Sequence, residues 1–193
     1  MKNLKKALFW ILQLTWGILM NVVGLFAFVG LLIAGFRPKR FGQQLYFVVG
    51  KSWGGVSLGF VTVVGNTSLG YPSTDTLVHE HGHFIQNIFY GPFMVILSLC
   101  SAARYWYREY IMYRNRKYVQ NNQPEKYKKL KPYDSWWFEG QATNLGYEYV
   151  SDFAIRWRFN ETTKSVTESF KEASESMKKL SETMEEWREK NNG

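Results

Sequence analysis

The feature that most constrains the fold of this chain is an uncharged run of thirty residues, 7–36. Its only clearly polar side chains are Gln13, Thr15 and Asn21. A helix that crosses a bilayer needs about 20 such residues, and this run as one straight helix would be about 45 Å long. We therefore expect a retained transmembrane helix that tilts, starts in the interface or bends near residues 21–24. A cleaved signal peptide is disfavoured, because the run is too long and no small-x-small cleavage site follows it.

Composition and charge favour a membrane surface as the working environment. Apolar residues make up 46% of the chain and aromatic residues 18%, which excludes general disorder and is typical of membrane interfaces. The net charge is +8; residues 161–193 sum to −2, which leaves +10 on residues 1–160. Residues 104–133 hold nine Lys/Arg and seven Tyr directly after an apolar run. This pattern suits a lipid headgroup layer, and nucleic acid is disfavoured because no nucleic-acid fold motif is present.

Periodicity and turn residues divide the chain into three parts. Residues 1–40 form a membrane anchor, 41–160 a membrane-associated domain and 161–193 a tail. Within the domain, two runs of aromatic and β-branched residues flank "GKSWGG" in 44–66, which predicts a β-hairpin. A helix is predicted from Ser73 or Thr74 to Gly91, and another after Pro132 with Asp134 or Ser135 as its N-cap. The fold class is therefore mainly α with a small β-hairpin or sheet.

The tail carries a heptad seam. Its apolar positions alternate in steps of four and three: Val166, Phe170, Ala173, Met177, Leu180, Met184 and Trp187. This spacing predicts an amphipathic helix. Our first interpretation is that the helix folds back onto its own domain. A homo-oligomeric coiled coil through 166–187 and a helix lying in the membrane interface remain alternatives.

All three histidines of the chain lie in "HEHGH", residues 79–83, on the first of the predicted helices. His79 and His83 are one turn apart on the same face, so both can reach one Zn²⁺. Glu80 points about 100° away around the axis, where it can act as a general base toward water. His81 points to the opposite side, and Gly82 leaves room for the close approach of another backbone or of the metal site.

A catalytic zinc has three protein ligands, and no histidine remains for the third position. The third ligand must therefore be a carboxylate. Glu139 is the strongest candidate, because it lies early in a predicted helix among aromatic and small residues, without an evident basic partner. The alternatives are Asp134, Glu148 and Asp152.

The motif pair "HEHGH" and "EGQAT" resembles the HExxH and ExxA motifs of the gluzincin metallopeptidases. The order of anchor, strands, motif helix, apolar run and "FEGQATNLG" is similar to small bacterial membrane proteins with a minimal gluzincin motif pair. The likeness covers roughly residues 44–150. It implies a zincin-like helix pair, with His79, His83 and Glu139 as zinc ligands and Glu80 as the catalytic base.

The same resemblance implies the surroundings of the site. Larger relatives have an Asp four residues after the ligand Glu to orient the first His; Thr143 stands there in this chain, followed by Asn144. A strand edge beside the motif helix would receive an extended peptide, and "GVSLGFVTVV" precedes the helix at a suitable distance. A proton donor is not identifiable, although Tyr147 and Tyr149 are possible.

The sequence thus predicts a zinc metalloendopeptidase integral to a cell membrane, with the bacterial inner membrane implied by the resemblance. Zinc would activate a water molecule, and Glu80 would accept its proton. The expected partners are the lipid bilayer and a peptide or membrane-protein substrate. Two alternatives remain: a non-proteolytic or inactive zincin-like metal-binding protein, and a membrane adaptor that acts through the heptad helix.

Overall fold

The fold consists of helices around one small sheet. A computed structural model describes residues 2–51 and 53–191, with side chains for 4–51 and 53–183. The elements are α1 (Lys2–Leu14), α2 (Ile18–Ile33), β1 (Lys39–Phe41), β2 (Gln44–Lys51), β3 (Gly55–Leu58), β4 (Val61–Asn66), α3 (Thr74–Tyr90), α4 (Phe93–Gln120) and α5 (Trp137–Asn191). Short 3-10 turns lie at Pro124–Lys126 and Tyr133–Ser135. The mainly helical class with a small sheet is confirmed.

The uncharged N-terminal run forms two helices instead of one. Within the described residues, no single helix combines the length and apolarity needed to cross a membrane; Leu4–Leu14 and Ile18–Ile33 meet that test only as a pair, bent by 81°. The bend lies at residues 15–17, so the expected bend near 21–24 is wrong. Large apolar side chains on the pair are exposed, among them Phe26 at 75% and Ile33 at 83%.

Buried amide side chains explain the position of this bend. Asn87 on α3 donates to the Gln13 side chain at 2.7 Å and to the Gly17 carbonyl at 3.0 Å, and Gln13 donates to the Phe84 carbonyl at 2.6 Å. Asn21 donates to the Gln13 carbonyl at 2.6 Å. The Gly17 amide bonds to the Leu12 carbonyl, so the bend leaves the Gln13 carbonyl without its helical partner, and the Asn21 side chain satisfies it, as burial requires.

The sheet has the order β1-β2-β4-β3, and its pairing differs from the predicted hairpin. β2 pairs with β4 in parallel, whereas β3 pairs with β4 antiparallel across a turn at Gly59 (φ +64°). The first predicted strand is β2, but the second predicted strand divides at Gly59 into β3 and β4, so the antiparallel hairpin is β3–β4 and not the predicted one. β2 and β4 are the more apolar strands and take the buried centre, while the short β3 lies at the edge.

The motif helix α3 has the predicted limits. Ser73 is its N-cap residue, and Gly91 (φ +51°) ends it. Pro92 then starts α4, a single helix of 28 residues that joins the apolar run to the basic one.

The second motif helix begins later and ends much later than predicted. Ser135 lies in a 3-10 turn and donates to the Pro132 carbonyl at 2.7 Å, so α5 begins at Trp137. The tail is the far end of α5 and does not fold back on the domain: seam residues Phe170 and Met177 are 74% and 67% exposed. The side chains of seam residues 184 and 187 lie outside the described part.

Helices α3 and α5 cross at very short distance over the sheet. A Cβ at Gly82 would collide with the backbone carbonyl of Ala142, and one at Gly146 with that of Val78. The predicted close approach at Gly82 is therefore confirmed. The core lies where these helices meet the sheet, and it contains Phe41, Tyr46, Val64, Leu77, Val78, Val150, Ala154 and Trp157.

Gly82→Ala tests this crossing. The added methyl group must push α5 away from α3, so we expect destabilisation by about 1–3 kcal/mol and a lower thermal midpoint in detergent. Gly30→Ala is the matched control, because nothing lies within 4 Å of a Cβ at that helical position. Equal midpoints for the two variants would contradict the close crossing.

Candidate metal centre

The crossing brings three predicted ligand residues to one point. Nε2 of His79 lies 3.1 Å and Nε2 of His83 lies 3.3 Å from Oε2 of Glu139. One ligand atom from each residue lies within 4.8 Å of the other two, so the group could hold a metal ion. Glu139 is fully buried. Residues about 55 positions apart along the chain thus meet because His79 and His83, one turn apart on α3, face the start of α5.

The other ring nitrogen of each histidine has a fixed partner. Nδ1 of His79 lies 2.9 Å from Thr143 Oγ1, whose hydroxyl proton is donated to the Glu139 carbonyl at 3.2 Å. The Thr143 oxygen must therefore accept a hydrogen bond from the Nδ1–H group of His79. Nδ1 of His83 lies 2.7 Å from Gln86 Oε1, and Gln86 Nε2 donates to the Phe138 carbonyl and to Gln141. Both histidines therefore carry a proton at Nδ1, and an imidazole ring that is neutral in this tautomer directs its Nε2 lone pair at Glu139.

This arrangement points three acceptors at one another. Two imidazole lone pairs and a carboxylate oxygen repel unless a proton or a metal cation lies between them. Two nitrogens and one oxygen form a donor set that suits zinc, and other divalent transition metals share that preference. The residues present therefore fit a metal cation.

The pKa values of Glu139 and His79 also favour a cation at the cluster. Burial alone would raise the pKa of Glu139, but hydrogen bonds with His79, His83 and Ser101 outweigh it and hold that pKa well below its usual range. Burial would lower the pKa of His79, yet the hydrogen bond to Glu139 and the nearby carboxylates raise it. The carboxylate thus stays charged and attracts a cation to the two rings.

Glu80 lies beside the cluster and outside the ligand set. It is 4% exposed, and its Oε2 has no hydrogen-bond partner among the described residues. Burial raises the pKa of Glu80, helped by the charge of Glu139, while His83 and His79 oppose the rise. An unpartnered carboxylate oxygen with a raised pKa accepts a proton more readily than an ordinary surface carboxylate does. Gly55 on β3 makes room for it, since a Cβ there would lie 2.8 Å from Glu80 Cγ.

His81 lies away from the cluster, as the helical geometry predicts. It is buried against Phe41 and Phe84, with ring centroids 6.3 and 5.5 Å away. Burial lowers its pKa to about 4, so the ring is neutral at pH 7. Gly42 leaves space for the ring, since a Cβ there would be 3.0 Å from His81 Cε1.

Of the other residues that the sequence analysis singled out, Thr143 lies at the cluster and the rest lie on the surface. Thr143 contacts His79, as the resemblance implied, whereas Asn144 is exposed at the next position. The alternative carboxylates Asp134, Glu148 and Asp152 are also exposed and lie outside the ligand cluster. Tyr147 is exposed and donates to Asp75 at 3.0 Å; Tyr149 is exposed as well.

Three site residues were missed by the sequence analysis: Gln86, Ser101 and Tyr133. Gln86 is one turn after His83 on the same face, so helical spacing alone could have found it. Ser101 donates to Glu139 from α4, and Tyr133 places its hydroxyl 3.3 Å from Ser101. Burial raises the pKa of Tyr133 to about 12, which keeps this hydroxyl a donor. No local pattern distinguishes Ser101 or Tyr133, because their roles depend on how α4 and the turn before α5 meet the cluster.

A cavity of about 470 Å³ opens onto the cluster. His79, Glu80 and His83 form one wall, and the edge strand β3 contributes Gly55, Val56 and Ser57. The remaining lining is largely aromatic or small: Trp53, Gly54, Ser98, Ser101, Ala102, Tyr105, Trp106, Tyr133 and Phe138. The cavity is therefore mostly apolar, and the polar groups of the cluster are among its lining residues.

Comparisons of the chain with protein-family models, curated proteins and solved structures give no match. The geometry of the cluster and its cavity is therefore the basis on which a function is inferred.

Thr143→Val tests the orientation of His79. Valine keeps the shape of threonine but cannot accept the Nδ1 proton, so we expect zinc affinity to fall by about 10–100-fold, measured by competition with a chromophoric chelator. Thr163→Val is the control, because Thr163 makes the same bond to the carbonyl four residues earlier, at 2.9 Å, on an exposed part of α5. Unchanged affinity in Thr143→Val would mean that the hydroxyl does not orient the ring.

Proposed function

We propose that this chain is a membrane-bound zinc metallopeptidase of the gluzincin type. The observation that carries the proposal is the convergence of His79, His83 and Glu139 beside the unpartnered carboxylate of Glu80. The three residues would hold the metal and Glu80 would act on water. A purely structural metal site would be closed by a fourth protein ligand, whereas this cluster opens onto a cavity beside an edge strand.

The roles of the chain's residues follow from their positions. When bound, zinc supplies a Lewis acid that polarises a carbonyl and lowers the pKa of water. Glu80 accepts the proton of the attacking water at Oε2 and passes it to the leaving amine nitrogen. The Tyr133 hydroxyl, kept protonated by burial, lines the cavity and donates to Ser101; by turning away from Ser101 it would donate to the oxygen that becomes negative. Thr143 and Gln86 keep the Nε2 lone pairs of the two histidines directed at the metal.

The edge strand supports a peptide as the substrate. Only one side of β3 is paired in the described sheet, and its residues line the cavity that Glu80 enters. An extended peptide can add to such an edge through backbone hydrogen bonds. Its scissile bond would then lie across the metal cluster, and the aromatic part of the cavity would take an apolar side chain.

Exposed apolar surface supports attachment to a membrane. The bent pair α1–α2 and the first turns of α4 expose large side chains, including Leu8, Phe26, Ile33, Phe93 and Leu99. A surface of this size is unusual on a protein surrounded by water alone. A bilayer would cover it, and the substrates would be peptides or proteins at the same membrane.

Metal content is the first test. We expect about one zinc per chain in detergent-purified protein by elemental analysis, and a clear loss in Glu139→Ala, because two imidazoles alone bind zinc weakly. Glu148→Ala is the matched control, since Glu148 is exposed on the same helix. Equal zinc in the two variants would remove Glu139 from the ligand set and the proposal with it.

Glu80→Gln separates a peptidase from a non-proteolytic metal protein. A peptidase variant should keep its zinc and lose activity on quenched fluorescent peptides by at least about 100-fold, because the base is gone. The parent enzyme and a chelator-treated sample provide the reference rates. The non-proteolytic alternative would be favoured if the zinc-loaded parent cleaved none of the peptides. It would also be favoured if Glu80→Gln left the cleavage rate unchanged.

The exposed tail supports an adaptor as the second candidate. Val166, Phe170, Met177 and Leu180 form an uncovered apolar stripe on the far part of α5. Such a stripe is typical of a helix with a partner, including a second copy of this chain. Removal of residues 161–193 should reduce the mass by light scattering to that of a monomer if the tail self-associates, while zinc content stays unchanged.

A further inference from the structure

A large positive charge on and after α4 has no internal partner. Between Arg104 and Lys131 the chain carries nine Lys/Arg and only two acidic residues, Glu109 and Glu125. None of the nine forms a salt bridge within the described residues. We name residues 104–131 the basic arm. Its uncompensated positive charge creates an electrostatic potential that attracts an anionic surface.

Hydrogen bonds fix the segment after α4 in the basic arm against the helix. Asn115 donates to the Lys128 carbonyl at 2.9 Å and accepts from the Lys128 amide at 3.0 Å. Arg108 donates to the Lys131 carbonyl at 2.6 Å. These bonds hold the segment after α4 against the helix, so that lysines from the return segment and basic residues from α4 share one surface.

Tyrosines within the arm hold its cations without neutralising them. Lys117 lies 4.7 Å from the Tyr113 ring centre, Lys128 lies 5.3 Å from that of Tyr107, and Arg114 packs on Tyr110. An aromatic face stabilises a cation but leaves its charge in place. Tyr mixed with Lys and Arg is the composition found at the level of lipid headgroups.

The position of the basic arm next to exposed apolar turns favours lipid over nucleic acid as its partner. The same helix exposes Phe93, Ile96 and Leu99 at 63%, 58% and 66%, and its basic part starts within two turns of Leu99. A bilayer presents hydrocarbon directly beneath an anionic layer, at the spacing that this helix offers. Nucleic acid presents the anions but no hydrocarbon to cover the apolar turns.

We propose that the basic arm binds the headgroups of anionic glycerophospholipids in the membrane that covers Phe93 to Leu99. A second cavity of about 470 Å³, between α4 and the return segment, offers Arg116 beside an apolar wall, with Met112, Asn115, Val119, Gln120 and Tyr127 as the other lining residues. Tyr105 and Trp106, at the start of the arm, also line the cavity of the metal centre. Headgroup binding thus holds that cavity at the membrane surface. The inference rests on the proposed membrane attachment but not on the metal.

The test uses the full chain in nanodiscs that contain trace spin-labelled phosphatidylglycerol or phosphatidylcholine. We expect phosphatidylglycerol to associate about fivefold more strongly or better, and the preference to weaken with salt. In the triple variant Arg116→Gln, Lys126→Gln, Lys129→Gln, the preference should fall toward one. All three side chains are exposed, so circular dichroism and zinc content should match the parent.

Lys164→Gln, Lys171→Gln, Lys179→Gln is the matched control, since it removes the same charge from the exposed tail. This control should keep the preference of the parent. The proposal is overturned by a parent without preference or by equal loss in both triple variants. If the parent shows no lipid preference but binds a fluorescent single-stranded RNA that the arm variant no longer binds, the partner of the basic arm is nucleic acid and not lipid. Zinc content, read in the same samples, reports separately on the metal centre.

Discussion

The crossing of α3 and α5 is the contact on which every distance at the metal centre depends. Gly82 and Gly146 let the backbone carbonyls of Ala142 and Val78 occupy the places of side chains. The two candidate histidine ligands are one turn apart on α3, and Glu139 and Thr143 are one turn apart on α5. One turn of α3 therefore faces one turn of α5. A wider crossing would move Glu139 and Thr143 together away from His79 and His83.

The price of this geometry is an unstable arrangement in the absence of a cation. Glu139 is fully buried, and two imidazole lone pairs face its oxygen. Such a group costs several kcal/mol to bury unless a proton or metal ion joins the three acceptors. A cation that binds only the folded chain adds its binding free energy to the stability of the fold. Burial of the neighbouring Glu80 likewise raises the pKa of its carboxyl group.

Local spacing predicted those features that depend on one helix. The common face of His79 and His83 and the separate position of His81 follow from a period of 3.6 residues. The limits of α3 follow from its N-cap and stop residues, and the close approach at Gly82 follows from the missing side chain. Features that depend on distant contacts were missed. The parallel pairing of β2 with β4, the bend at residues 15–17 and the roles of Ser101 and Tyr133 arise from neighbours far along the chain. The heptad seam predicted a helix, but periodicity holds no information on its direction in space.

The bend in the N-terminal pair links the apolar surface to the metal centre. Its buried amides bind α3 at Phe84 and Asn87, which directly follow the ligand His83 by one to four positions. Asn21 on α2 also accepts from the Phe60 amide at 2.9 Å, in the turn that leads from β3 to β4. Both walls of the cavity, the motif helix and the edge strand, are therefore fastened to the same apolar pair. Because buried hydrogen bonds of this kind are costly to break, the depth of the metal centre relative to that apolar surface is set by the fold itself.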